Sequence, residues 1–82
     1  MAHDEAAHRN RLREAILQHL RVHPLAADTA KGIVSDWLAG AVRADALAHI
    51  DAVLKDMTQE GLLRAYPLPG GRTLYKKGPA AR

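Results

Sequence analysis

Residues 51–77 read DAVLKDMTQEGLLRAYPLPGGRTLYKK, and the spacing of their apolar side chains changes at Gly61. Before it, Val53, Leu54 and Met57, with Leu47 and Ile50 upstream, recur at three- and four-residue steps, which predicts a helix over residues 43–60. Gly61 fits the left-handed residue that closes such a helix. After it, residues 62–68 and 72–77 are two short segments containing Leu, Tyr and Thr. They are separated by Pro69, Gly70 and Gly71, turn chemistry that predicts a β-hairpin over residues 62–77. A two-residue loop at Gly70 and Gly71 would set Tyr66 opposite Tyr75, whereas a three-residue loop would set it opposite Leu74. The sequence fits both registers.

Two more helices are expected upstream. Leu12, Ile16 and Leu20, flanked by Ala6, Ala15 and Leu17, form the i, i+4 stripe of an amphipathic helix over residues 4–22. Asp4 and Glu5 begin it and Arg21 ends it, as a helix dipole favours, and Pro24 turns His23 away from helical geometry. Asp28 or Thr29 then supplies an N-cap oxygen for a helix over residues 28–40, built on Ala30, Ile33, Val34, Trp37, Leu38 and Ala41 and stopping at Gly40. Gly32, inside that pattern, is the kind of residue that lets a second helix approach closely. Trp37, the only tryptophan in a chain without phenylalanine, is expected to anchor the core; if exposed, it would mark a partner surface. Residues 78–82 are expected to fray.

The chain has 82 residues, enough for one small domain and too few for a second. Cys is absent, so disulfide scaffolds, thiolate zinc sites, iron–sulfur clusters and cysteine nucleophiles are excluded and packing must hold the fold together. No run approaches the roughly 18 consecutive apolar residues of a membrane span, and residues 1–10 are polar with both charge signs, unlike a secretory signal. A cytoplasmic protein without membrane contact is the expectation. The net charge of +3 is unevenly spread. Residues 1–22 carry +1, residues 23–42 carry −1 and residues 43–61 carry −2, while residues 62–82 hold Arg64, Arg72, Lys76, Lys77 and Arg82 with no acid, a local +5. A basic patch of this kind is either an electrostatic footprint for phosphate or a solubilising tail.

The order of three helices and a glycine-tipped hairpin, together with the run Asp51 to Arg64, resembles the winged helix (winged helix-turn-helix) family. In that family an apolar residue, a second one three positions on, and then Gly-Leu-Leu or Gly-Leu-Ile with a basic residue lead from the third helix into the wing. Leu54, Met57, Gly61, Leu62, Leu63 and Arg64 occupy those places, and Leu68 to Tyr75 resembles the wing itself. The resemblance covers roughly residues 12–77. It implies an α+β fold, mainly α, with three helices and a C-terminal wing. As function it implies a small DNA-binding transcriptional regulator, with double-stranded DNA as partner and a homodimer as the common assembly. The third helix would enter the major groove, with Arg43 and His49 near its start and Ala44, Asp45 and Ala48 beside them. Arg72 at the wing tip would enter a minor groove, and Arg64, Lys76 and Lys77 would meet flanking phosphates.

The charge of the third helix bears on that reading, since −2 on a groove-facing element opposes phosphate unless Asp51, Asp56 and Glu60 point elsewhere. If Asp45, Asp51 and Asp56 face the same way as Arg72, the usual docking is electrostatically opposed. The alternative is an adaptor that uses the acidic third helix and the basic wing to hold a protein partner. Arg9, Arg11 and Arg13 lie on more than one face of the first helix and read as solvated surface. His19 and His23, four apart, have the spacing of two metal ligands, but no third ligand accompanies them. Ser35 is the only serine and stands outside any acid–base constellation, and Gly70-Gly71 lacks the strand-to-helix context of a phosphate loop. Neither catalysis nor a cofactor is expected.

Overall fold

The computed structural model describes residues 3–81, and the side chains of all of these except residues 3, 4 and 45. Arg82, counted in the basic tail, lies outside the described residues. The fold is α+β and mainly helical. Helix α1 (His3–Val22) is followed by strand β1 (Ala27–Thr29), then by the short helix α2 (Ala30–Gly32), which runs directly into a π-helical turn (Ile33–Trp37). Helix α3 (Gly40–Gln59) leads to strands β2 (Leu63–Pro67) and β3 (Thr73–Lys77). The three strands form one antiparallel sheet in the order β1-β3-β2.

The core follows from the α1 stripe. Leu12, Ile16 and Leu20 lie on one side of the helix and are buried with Ile33, Leu38, Ala46, Val53, Leu54, Met57 and Leu63. Helix α3 ends where its pattern ends. Gly61 takes a positive φ of 79°, its N–H donates to the Thr58 carbonyl, and the Leu62 N–H donates to the Met57 carbonyl. Those two bonds are the Schellman arrangement, which satisfies carbonyls that a helix otherwise leaves open.

The second helix differs from its expected span of residues 28–40 at both ends. Residues 27–29 form β1, which pairs with β3 as Ala27 with Lys76, Asp28 with Tyr75 and Thr29 with Leu74. Thr29 caps the helix, its hydroxyl accepting from the Gly32 N–H at 3.3 Å, while Asp28 Oδ1 accepts from the Thr29 N–H at 2.8 Å. This fold of the chain accounts for Gly32 differently from a helix crossing: a Cβ there would lie 1.8 Å from Asp28 Oδ1. At the other end Leu38 turns to extended geometry (φ −115°, ψ 154°), which carries its side chain into the core. Gly40 and Ala41 consequently belong to α3, which begins three residues before Arg43.

The hairpin takes the longer loop. Tyr66 pairs with Leu74, Ala65 with Tyr75, Arg64 with Lys76 and Leu63 with Lys77, and the Leu68 N–H donates to the Arg72 carbonyl across Pro69, Gly70 and Gly71. Residues 78–81 are held by backbone hydrogen bonds rather than frayed. The Gly78 N–H donates to the Leu62 carbonyl at 2.8 Å and the Ala80 N–H to the Gly61 carbonyl at 2.9 Å, and Ala81 is only 8% exposed. The tail thus folds back over the turn that ends α3.

Candidate nucleic-acid interface

The five cations and one histidine singled out from the sequence lie on α3, at the hairpin tip and along the two hairpin strands. The guanidinium of Arg43 is bonded to backbone of its own chain. Its Nε donates to the Val34 and Leu38 carbonyls, each at 3.2 Å, and its Nη2 to those of Ser35 and Leu38 at 2.9 and 2.8 Å. A guanidinium fork is suited to this work, because it collects several carbonyls at the C-terminal end of a helix, where their dipoles favour a cation. His49 lies half-buried on the side of α3 that meets α1, its ring centroid 6.2 Å from that of His8. Arg43 remains exposed with its guanidinium engaged by these carbonyls, and His49 is half-buried.

Arg72 sits at the hairpin tip. It lines a shallow concavity with Lys31, Thr29, Tyr75 and Asp51, between the start of α2, α3 and the wing. Asp51 therefore shares a surface with Arg72, the arrangement that opposes DNA docking through α3. It also contributes to raising the Tyr75 phenol above its ordinary value, after the larger effect of burial. The side chain of Asp45 lies outside the described residues.

Asp56 and Glu60, toward and just past the end of α3, turn to α1. Asp56 lines a groove with Arg9 and Arg13 of α1, and Glu60 receives a bidentate pair of hydrogen bonds from Arg13. That pairing holds the Glu60 carboxyl below its usual range and the Arg13 guanidinium above its own. Arg13, read as solvated surface, instead ties α1 to the end of α3. Exposed on the outward side of α3, beside Asp51 and Lys55, are Ala41, Ala44, Ala48 and Ala52, and Leu47 is 79% exposed.

Arg64, Lys76 and Lys77 separate by strand alternation. Directly opposed residues of an antiparallel ladder share a face, and successive residues alternate faces. Arg64 and Lys76 thus project together on the outer face with Tyr66, while Lys77 falls on the face of the buried Leu63 and is itself half-buried. The Lys76 ammonium lies 5.9 Å from the Tyr66 ring centroid. Tyr66 and Lys31 were not among the site residues expected from the sequence, whereas Asp51 was one of the acids whose facing was to decide docking. The alternation of Arg64 and Tyr66 is a signal for the first of these once the hairpin register is known.

Trp37 is half-buried, not a fully enclosed anchor. Its indole stacks on His19 at 4.6 Å and 12°, and His23 lies 4.8 Å from His19. Burial, and then the charge of His23, lowers the His19 imidazole below its ordinary value. Among the described residues no three His, Cys, Asp or Glu side chains converge as a metal site would require. No described helix is long and apolar enough to cross a membrane. Comparisons with protein-family models, curated proteins and solved structures find no match to the chain.

Proposed function

We propose that the chain is a winged helix domain that contacts duplex DNA through phosphates, led by the wing tip and without base reading by α3. The order of the helices and strands and the sheet order β1-β3-β2 support the winged helix part of this reading. The observation that carries the functional part is the placement of Arg72 and Lys31 on one surface beside α3, two cations against the single acid Asp51 that shares it, while Asp56 and Glu60 face the arginines of α1. Ala44, Ala48 and Leu47 are the residues that would meet a groove, and none offers the paired donors that distinguish bases. Affinity on this reading comes from counterion release and depends steeply on salt. A regulator of this kind would act in the cytoplasm.

Equilibrium binding to a duplex at several ionic strengths tests it. Arg72→Ala and Lys31→Ala should each weaken binding and flatten the log–log salt slope by about 0.9 per lost phosphate contact. Unchanged affinity in both variants, or no binding by the parent chain at low salt, rejects the proposal.

The exposed Leu47 among alanines favours a second reading, in which α3 is a protein-docking face and a second copy is the first partner to test. Sedimentation over a range of concentrations should then show association that Leu47→Glu abolishes. A monomer at every concentration counts against self-association.

A further inference from the structure

The outer face of the sheet carries a feature that the duplex reading does not use. Its residues are Ala27 and Thr29 from β1, Leu74 and Lys76 from β3, and Arg64 and Tyr66 from β2. Arg64 and Lys76 stand directly opposite each other, a like-charge pair that destabilises a ladder. Among the described residues no acid lies on this face, and none lines the adjoining shallow depression, which is bounded by Pro24, Leu25, Lys77, Gly78 and Pro79. Protection of an exposed sheet edge accounts for Arg64 on β2, which is an edge strand. It does not account for Lys76, because β3 is the central strand; the neighbour of Lys76 on this face is the Tyr66 ring, with the ammonium 5.9 Å from its centroid. Beside the pair, Tyr66 is 40% exposed and Leu25 in the α1–β1 loop is 91% exposed.

We infer that this face binds a single-stranded nucleic-acid segment, with an unstacked base on Tyr66 and backbone phosphate between Arg64 and Lys76. The charge pair is the first reason. Two cations held side by side with no acid on their face call for an anion that meets both, as a phosphodiester does. The aromatic ring is the second. Tyr66 lies two residues along β2 from Arg64, about 7 Å away, so a base stacked on the ring keeps its phosphate within reach of the pair. A duplex offers no unstacked base to such a ring, which separates this face from the surface around Arg72. The inference stands independently of the duplex reading.

The test is fluorescence anisotropy of a labelled oligothymidylate of about ten nucleotides, titrated with the full chain at several salt concentrations. The expected result is salt-dependent binding that Tyr66→Ala weakens about ten-fold and Tyr66→Phe leaves nearly unchanged. Arg64→Ala and Lys76→Ala should each flatten the salt slope by about 0.7. Tyr66→Ala should leave duplex binding intact and Arg72→Ala should leave single-strand binding intact, so the two readings fail separately. Thermal melts of each variant establish that it is folded. Absence of oligothymidylate binding at low salt, equal binding by Tyr66→Ala, or equally tight binding of a polyglutamate peptide overturns the inference, the last by making the face an acidic-peptide site.

Discussion

Replacing Gly78 with Ala should be among the most damaging single-methyl changes in this protein. A Cβ at position 78 would lie 2.2 Å from the Gly61 carbonyl oxygen and 2.8 Å from the Leu63 nitrogen, so it meets backbone on the far side rather than a side chain that can rotate away. Ordinary contact begins near 3.4 Å, so the two chain segments must separate by about 1.2 Å. That separation breaks the bonds from the Gly78 N–H to Leu62 and from the Ala80 N–H to Gly61, each worth about 1 kcal/mol net. Overpacking adds about 1–3 kcal/mol, and the stiffer unfolded chain returns about 0.5–1 kcal/mol. The expected loss is about 2–4.5 kcal/mol. At about 0.17 kcal/mol per kelvin for a chain of this length, the melting temperature should fall by about 12–26 °C. Thermal unfolding followed by far-UV circular dichroism reads this directly, with the exposed Pro79→Ala as the comparison. A Gly78→Ala protein that melts within about 3 °C of the parent would refute the crossing of the tail over the α3 turn.

Further expectations follow from the other contacts. Arg43→Ala should destabilise the fold by about 1–2 kcal/mol through the lost carbonyl bonds, and Arg43→Lys should restore little of it, because an ammonium cannot span the same carbonyls; chemical denaturation measures both. Glu60 has a lowered carboxyl pKa in the folded state, so its contribution to stability is complete above its ordinary value of 4.5 and is lost as pH falls through the folded value. Melting curves of the parent and of Glu60→Gln should differ at neutral pH and converge in acid. His19 also has a lowered folded pKa, but as a base it binds fewer protons folded than unfolded. Stability should therefore rise with pH between the folded value and 6.5, above which the contribution is complete. Trp37 emission should titrate with a midpoint below 6.5, and His19→Gln should remove that transition.

The elements legible in the sequence were those with long periodic signals or unambiguous local chemistry. Leu12, Ile16 and Leu20 announce α1, and Gly61 announces the end of α3, because four-residue spacing and a left-handed cap leave local marks. Strand β1 left none. Three residues are too few to show alternation, and Ala27, Asp28 and Thr29 are extended because the edge of β3 is there to pair with them. The end of the second helix was misread for a related reason. Leu38 fits the helical stripe, yet it is buried by leaving the helix, and Arg43, five residues on, satisfies the carbonyls this exposes. The order of the tail depends on a meeting of Gly78 with Gly61, seventeen positions apart, which no local pattern encodes.

The candidate interface was legible as a quantity of charge and not as an arrangement. Residues 62–82 announce a basic region, but strand alternation divides it into the tip with Arg72, the outer face with Arg64 and Lys76, and the half-buried Lys77. The acids of α3 likewise read as one −2 helix. In the fold, Asp56 and Glu60 turn to the arginines of α1, and Asp51 stays beside Arg72. Which acids oppose an approaching phosphate depends on helix packing, and the packing appears only in three dimensions.

The most direct test of wing-led duplex contact is a map of backbone amide chemical shifts in the full chain as duplex DNA is added at low salt. Perturbations should centre on residues 70–73 and on Lys31, be weaker along residues 44–52, and reverse with added salt. No perturbation at any ionic strength, or perturbations confined to the outward side of α3 and absent from the wing, would contradict wing-led contact.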